Sequence, residues 1–324
     1  VDPRASHDTA SPVSAAAAGS ARVAILLCTK DGAAYLDEQL ASYAAQTHDE
    51  WELHVSDDGS SDATLAIVGE FARTHPQPVH VRAGPRQGFC RNFMALAGDC
   101  AICADYFAFS DQDDIWLADK LARALVWLRT IPDAVPALYC ARTALIDESG
   151  VPAGLAQRFS RPPGFRNALV QNIGGGNTMV FNRAAKRLLE ASRALDVVTH
   201  DWWAYQIVTG AGGAVFYDPN PPVKYRQHGN NILGSNLGFA ARMRRIRMLF
   251  AGRVVDWNDR NIAALQSLRP LLTADNQTTL DLFARARDAD SLAMRLLGLR
   301  RARVYRQTWM GNLTLALAAI ARKL

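Results

Sequence analysis

Apolar runs and stretches of helical period alternate along the chain as far as Pro132. The run RVAILLC, residues 22–28, is continuously apolar after its first position, as in a strand covered on both faces. Leu36, Leu40 and Tyr43 then recur at helical spacing. WELHVSDDGSS, residues 51–61, predicts a second strand running into a turn. Leu65, Val68 and Ala72 predict the next helix, capped by Ser61 or Asp62. VHVRAG (79–84) and DYFAFSD (105–111) read as two more strands, with a helix in NFMALAGDCA (92–101) between them. Leu117, Leu121, Leu125 and Leu128 line a further helix that ends before Pro132, with Asp114 and Trp116 assigned to starting and packing it.

Beyond residue 135 the alternation loosens. LYCARTALID (138–147) and NTMVFN (177–182) predict strands, the second preceded by Gly174–Gly176. A helix is expected from Asp201 to Thr209, and AVFYD (214–218) and VKYRQH (223–228) bracket the turn Pro219–Pro222. From residue 238 onward the pattern is helical, with Arg-rich faces and no strand signal. Strands separated by helices imply an α/β fold with a mostly parallel sheet, helices on both faces and a C-terminal helical extension. The expected division is a leader over 1–20, a sheet domain over 21–235 and a basic helical region over 236–324. Ligands of such sheets sit outside the carboxyl ends of the strands. Three polar clusters fall there: Thr29–Gly32, Asp57–Ser61 and Ser110–Asp114.

The composition, 49% hydrophobic and 21% charged over 324 residues, is that of an ordinary globular protein. The net charge of +5 hides a division: residues 238–324 carry 16 Lys/Arg against 6 Asp/Glu, and residues 1–237 carry 20 against 25. A basic tail suits an anionic surface, whether lipid headgroups or nucleic acid. No recognised nucleic-acid module accompanies it, so nucleic acid is not an expected partner. RMRRIRMLFAGR (242–253) alternates Arg with apolar residues, as an interfacial helix on an anionic membrane would, or a helix packing in a homo-oligomer. Leu313–Ala321 is the longest apolar run and too short to span a bilayer. Residues 1–20 lack the basic start and apolar stretch of a signal peptide and read as a disordered leader. A cytoplasmic place, with a peripheral position at the inner face of the cell membrane, is the expectation. The five cysteines are read as buried thiols, since Cys100 and Cys103 lack a second pair at zinc-binding spacing.

Four clusters carry candidate chemistry, each with a structural alternative. In SDQDD (110–114), Asp-x-Asp at a strand end can present oxygen ligands to Mg²⁺ or Mn²⁺. Alternatively, Asp113 and Asp114 favour the positive end of the following helix. SDDGSSD (56–62) can accept hydrogen bonds from a base or a ribose, or form a turn around a left-handed Gly59. In HDWW (200–203), Asp201 suits a general base beside an aromatic platform, Trp202 and Trp203, for an acceptor sugar. Its alternative is a helix cap with both rings in the core. In YRQHGNN (225–231), Arg226 and His228 can reach phosphate, or His228 can hold a metal; a lone His is as readily structural.

Taken in order, DDGSSD, FSDQDDIW, HDWW and YRQHGNN resemble the family-two glycosyltransferases with the GT-A fold, over roughly residues 22–235. SDQDDIW with YRQHGN is most similar to bacterial rhamnosyltransferase-type enzymes of surface polysaccharide assembly. The resemblance implies inverting transfer from a dTDP- or UDP-sugar to a glycan or lipid-linked acceptor, with Mg²⁺ or Mn²⁺. It implies a nucleotide-binding half over 21–134 and an acceptor half over 135–235. On that pattern Thr29, Asp31, Asp57 or Asp58, and Arg91 hold the nucleotide. Asp111, Gln112 and Asp113 form the DXD region, with Asp113, Asp111 and His228 toward the metal. Gly175 and Gly176 belong to a backbone loop near the donor sugar, and Asp201 is the base. Where relatives commonly have Thr-Tyr-Asn-Gly, this chain has Thr29-Lys30-Asp31-Gly32. The rival readings are a nucleotidyltransferase, whose Gly-rich phosphate loop CTKDG matches poorly, and a non-catalytic glycan-binding relative.

Overall fold

The computed structural model describes residues 21–228 and 253–324. The leader expected over 1–20, the boundary at 235–236, the stretch 242–252 and the GNN of the last motif lie outside the described residues. Eleven strands are described. In chain order they are β1 (Val23–Thr29), β2 (Trp51–Asp57), β3 (Val79–Ala83), β4 (Tyr106–Ser110), β5 (Ile115–Trp116) and β6 (Ala137–Ala141). Then follow β7 (Ala144–Ile146), β8 (Pro152–Leu155), β9 (Val180–Asn182), β10 (Ala214–Asp218) and β11 (Val223–Arg226). Seven of them make the main sheet, ordered β10-β6-β9-β4-β1-β2-β3. It is mostly parallel, as expected, but β9 runs antiparallel to both β4 and β6. The others form a small second sheet, β5-β11-β7-β8.

The helices α1 (Leu36–Ala44), α2 (Thr64–Thr74), α3 (Phe89–Ala97), α4 (Lys120–Leu128), α5 (Phe165–Ala168), α6 (Arg183–Ala191) and α7 (His200–Gly210) connect the strands. Successive side chains of a strand point to opposite faces, so a strand buried throughout feeds two cores. In β1, Ala24, Leu26 and Cys28 enter one apolar cluster. Val23, Ile25 and Leu27 enter the other, against Leu36 and Leu40 of α1 and Leu121 and Leu125 of α4. The C-terminal helices α8 (Arg253–Ser267), α9 (Ala274–Asp288), α10 (Leu292–Ala302) and α11 (Trp309–Ile320) are not set apart from this core. Leu265, Leu280 and Phe283 join the first cluster together with Trp203 and Ile207 of α7.

Three expectations need correcting. Asp114 and Trp116 do not start a helix: Ile115–Trp116 pairs antiparallel with β11, and α4 begins only at Lys120. The buried face of α2 is Thr64, Val68 and Phe71, also at helical spacing but turned one position from the expected one, so Leu65 and Ala72 are exposed while Phe71 stacks on Trp51. Cys28 and Cys140 are buried, but Cys100 and Cys103 lie exposed in the loop between α3 and β4.

Candidate active site

The carboxyl ends of β1, β2, β4 and β6 open into one cleft of about 1250 Å³, closed on the far side by the Gly174–Gly176 loop and the start of α7. Space of this size holds a ligand larger than a drug-sized molecule, such as a nucleotide with a sugar attached. Carboxylates face it from both sides: Asp31, Asp58, Asp111 and Asp113 from the strand ends, Asp201 from α7. Lys30, Arg142 and His228 are among its basic groups.

On the β1–β2 side the two adjacent aspartates divide their work. Asp57 accepts hydrogen bonds from Thr29 Oγ1 (2.8 Å), Ser60 N (2.8 Å) and Gly59 N (3.0 Å). Burial works against its charge, but these donors and the Ser60 hydroxyl hold its carboxyl below the ordinary range. Its oxygens are spent on the turn around Gly59, whose φ of 92° is the left-handed backbone expected there. Asp57 is absent from the cleft wall, which corrects its assignment to the nucleotide; Thr29 and Asp58 do line the cleft. Asp58 also accepts from Arg86 N at 2.6 Å and Gly88 N at 2.9 Å, tying down the loop after β3. Asp31, at φ 45°, occupies the left-handed region that Asp and Asn tolerate better than most residues. It accepts from Ser61 N at 2.7 Å. Gln112 clasps the β1 loop, accepting from Lys30 N (2.8 Å) and donating to Lys30 O (3.0 Å). A Cβ on Gly32 would meet that Gln112 amide at 2.3 Å, so the clasp requires glycine. Arg91 points the other way. Its guanidinium donates to Ala194 O and Leu195 O, 3.2 and 3.0 Å, and it is no part of the cleft wall, which removes it from the phosphate.

The SDQDD segment leaves β4 with Asp111 and Asp113 toward the cleft and Asp114 turned inward. Asp113 Oδ2 meets His228 Nε2 at 2.7 Å. Burial, then the carboxylates of Asp113 and Asp201, push the Asp111 carboxyl up to about 8. Asp114 is fully buried and accepts from Asn177 Nδ2 (2.5 Å) and Arg226 N (3.1 Å); burial and Asp113 raise it well above the usual carboxylate range. Lys120, also buried, lies with Nζ 3.1 Å from the centre of the Trp116 ring, its affinity for a proton lowered by burial and partly restored by Asp114 and Asp111. Arg226 is not a phosphate ligand. Its side chain is buried and donates to Asp113 O (3.0 Å), Glu148 O (2.9 Å) and Glu38 Oε2 (2.9 Å), with Tyr35 beneath it. It binds the Asp113 backbone to α1 and β11.

Across the cleft, Asp201 sits in the first turn of α7 and accepts from Asn172 Nδ2 at 2.9 Å and Trp202 N at 2.7 Å. Its neighbour His200 stacks on Phe93 with centroids 3.8 Å apart, and both its ring nitrogens lack a hydrogen-bond partner among the described residues. Burial pulls this imidazole down to about 4, so it stays neutral. A Cβ on Gly176 would lie 2.3 Å from His200 Nε2, which is why glycine occupies that place. Gly175 and Gly176 line the cleft as expected. The aromatic platform is not there. Trp203 is fully buried and donates to Ser192 Oγ at 2.8 Å, and Trp202 donates to Ala168 O at 2.7 Å, away from the cleft wall. Helical geometry turns both indoles toward α5 and α6 when Asp201 faces the cleft.

The donor set suits a hard divalent cation: the facing Asp113 and His228, and an Asp111 whose charge is held back by burial and then by neighbouring carboxylates. Among the described residues a tighter trio, Glu52, His54 and His80, has donor atoms within 4.8 Å of one another, but it lies on β2 and β3 outside the cleft wall. The raised Asp111 makes a signed prediction. The native state keeps a proton that the unfolded chain gives up, so this group's contribution to stability falls as pH rises from about 4 to about 8. A cation must displace that proton below about 8, so at fixed Mg²⁺ the gain in Tm is expected to be larger at pH 8 than at pH 6. Thermal unfolding at the two pH values, with and without Mg²⁺, measures it.

The sequence model described as "Glycosyl transferase family 2" matches residues 24–190. The chain is 30% identical over 240 residues to the dTDP-rhamnosyl transferase RfbG of Shigella flexneri, covering 69% of this chain and 78% of that relative. The chain belongs to glycosyltransferase family 2. It is therefore a glycosyltransferase, which sets aside the nucleotidyltransferase and non-catalytic readings. Solved structures agree on the fold. This glycosyltransferase is similar to the mannosyltransferase PcManGT from Pyrobaculum calidifontis, solved with GDP-Man and Mn²⁺, at TM-score 0.52 and 21% identity over 94% of this chain and 88% of that one. It is likewise similar to S. aureus TarS solved with UDP-GlcNAc, at TM-score 0.52 and 14% identity over 87% of this chain and 90% of that one. Asp201 and His228 lie beyond the segment that the family model matches, and the structure brings both to the cleft that the matched segment builds.

Three residues shape the site in ways the sequence did not signal, Arg226 having been expected at phosphate instead. Asn172 holds Asp201, Asn177 holds Asp114, and Arg226 holds the loop of Asp113. A single polar residue has no period to betray its role, and its partner is 29 to 113 positions away.

Proposed function

We propose that this glycosyltransferase moves rhamnose from a dTDP-sugar to a hydroxyl of a growing polysaccharide or lipid-linked glycan, with inversion at the anomeric carbon. The observation that carries the reading is that Asp201 lines the same cleft as Asp111 and Asp113, near enough for its carboxylate to act on Asp111. The 30% identity to a dTDP-rhamnosyl transferase supports the donor. The nucleoside half is taken as residues 21–134 and the acceptor half as 135–235, with the protein working at the cytoplasmic face of the membrane.

Thr29, Asp31 and Asp58 line the end of the cleft where the base and ribose are assigned, and Lys30 gives a cation for phosphate oxygens. Asp111, Asp113 and His228 are assigned to Mg²⁺ or Mn²⁺, which when bound offsets the charge that gathers on the departing diphosphate. Asp201 takes the proton of the acceptor hydroxyl as that oxygen attacks. Asn172 and the Trp202 N–H hold its carboxylate, which keeps one oxygen edge aimed at the cleft. Gly175 and Gly176 line the cleft where the donor sugar is assigned, and a Cβ at either place would strike Asn177 or His200. A panel of dTDP-, UDP- and GDP-sugars, assayed for nucleoside diphosphate release with a rhamnan-type acceptor, tests the reading. Preference for dTDP-rhamnose is expected; turnover of only UDP- or GDP-sugars refutes the donor assignment.

A further inference from the structure

Nine of the seventeen large apolar side chains exposed among the described residues belong to α10 and α11, which carry only a small part of the chain. On α11 they are Trp309, Met310, Leu313, Leu317 and Ile320, with Trp309 74% exposed. At helical spacing these five fall within an arc of about 100°, while Leu315, Ala318 and Ala319 on the other side join the core. The helix, WMGNLTLALAAI, has no charged residue at all. On α10, Leu292, Met294, Leu296 and Leu297 are exposed, while Arg295, Leu299 and Ala302 are buried. A monomer leaves so concentrated an apolar surface only where something covers it.

The charge beside this surface says what. Residues 291–324 contain no Asp or Glu, and Arg300 and Arg301 in the last turn of α10, with Arg303 just after it, are exposed. Asp290, just before them, meets Arg322 at 3.4 Å. We infer that α10 and α11 form a docking surface for an anionic phospholipid bilayer, their apolar faces entering the headgroup boundary and the arginines meeting lipid phosphates. Trp309, at the first turn of α11, has the amphipathic ring that settles at such a boundary. No helix among the described residues is long and apolar enough to cross a membrane, and α11, 12 residues long, lies on it. A second copy of the chain fits less well: a twofold contact through the same face would set Arg300, Arg301 and Arg303 against their own counterparts. The inference is independent of the sugar chemistry, because its test contains neither donor nor acceptor.

Full-length protein is mixed with phosphatidylcholine vesicles, with and without phosphatidylglycerol, and sedimented at low and at high salt. Binding is expected only with phosphatidylglycerol, weakening as salt rises. Arg300→Ser with Arg301→Ser should lower the partition coefficient by about 30-fold. Trp309→Ser with Leu317→Ser should lower it at least as much and abolish the blue shift of tryptophan emission. All four positions are exposed, so an unchanged thermal unfolding midpoint confirms that the variants fold. Absence of binding to phosphatidylglycerol vesicles at low salt overturns the inference, as does binding by both double variants as strong as that of the unsubstituted protein. A dimer in solution that either double variant dissociates, without vesicle binding, assigns the face to a second copy and overturns it as well.

Discussion

Asp201→Asn is expected to lower the rate of sugar transfer by about 10²- to 10⁴-fold, the range ascribed to a positioned general base. Nucleotide-sugar binding should not weaken, because the nucleoside and the metal are assigned to Thr29, Asp31, Asp58, Asp111, Asp113 and His228 rather than to Asp201. The substitution keeps shape and removes the charge. The remaining carbonyl oxygen can still accept from the Trp202 N–H, so the first turn of α7 has no reason to unwind. Single-turnover rates with saturating donor, beside a donor titration, separate the two effects. A wild-type rate for this variant would show that the acceptor proton goes elsewhere.

The second large effect concerns a residue outside the cleft wall. Arg226→Leu should destabilise the fold by about 3 kcal/mol, the scale of losing charge-assisted hydrogen bonds from a buried guanidinium. Three acceptors lose their donor: Asp113 O, Glu148 O and Glu38 Oε2. Glu38 is half exposed and can turn to water, which keeps the cost below that of a fully buried broken pair. Since the Asp113 backbone is among the three, transfer should fall together with stability. Arg226→Lys keeps the charge but cannot reproduce a fork of three partners, and an intermediate loss is expected. Urea unfolding of the three proteins gives the order; equal midpoints would mean that Arg226 does not hold the loop.

What was legible in the sequence was local. Continuous apolar runs marked β1 and β4 as buried strands, and their polar ends marked the rim of the cleft, where Thr29, Asp58, Asp111 and Asp113 all line it. Side-chain direction was less legible. Asp57 and Asp58 are consecutive and chemically identical, yet one closes a turn and the other lines the cleft. HDWW offered both a base and a sugar platform, but a helix cannot turn three successive side chains into one cleft, and the two tryptophans went to packing. The small sheet escaped because Ile115–Trp116 is two residues long and its partner, β11, lies over a hundred positions further on. That pairing is why Asp114 became a buried acceptor between β4 and β11 rather than a helix cap.

A single in-line displacement with Asp201 as base leaves its record in the anomeric configuration of the product. NMR of the glycoside formed from dTDP-rhamnose should show a configuration opposite to that of the donor. A product with the donor's configuration would require a route with two displacements or a front-face exchange, and would contradict the role given to Asp201.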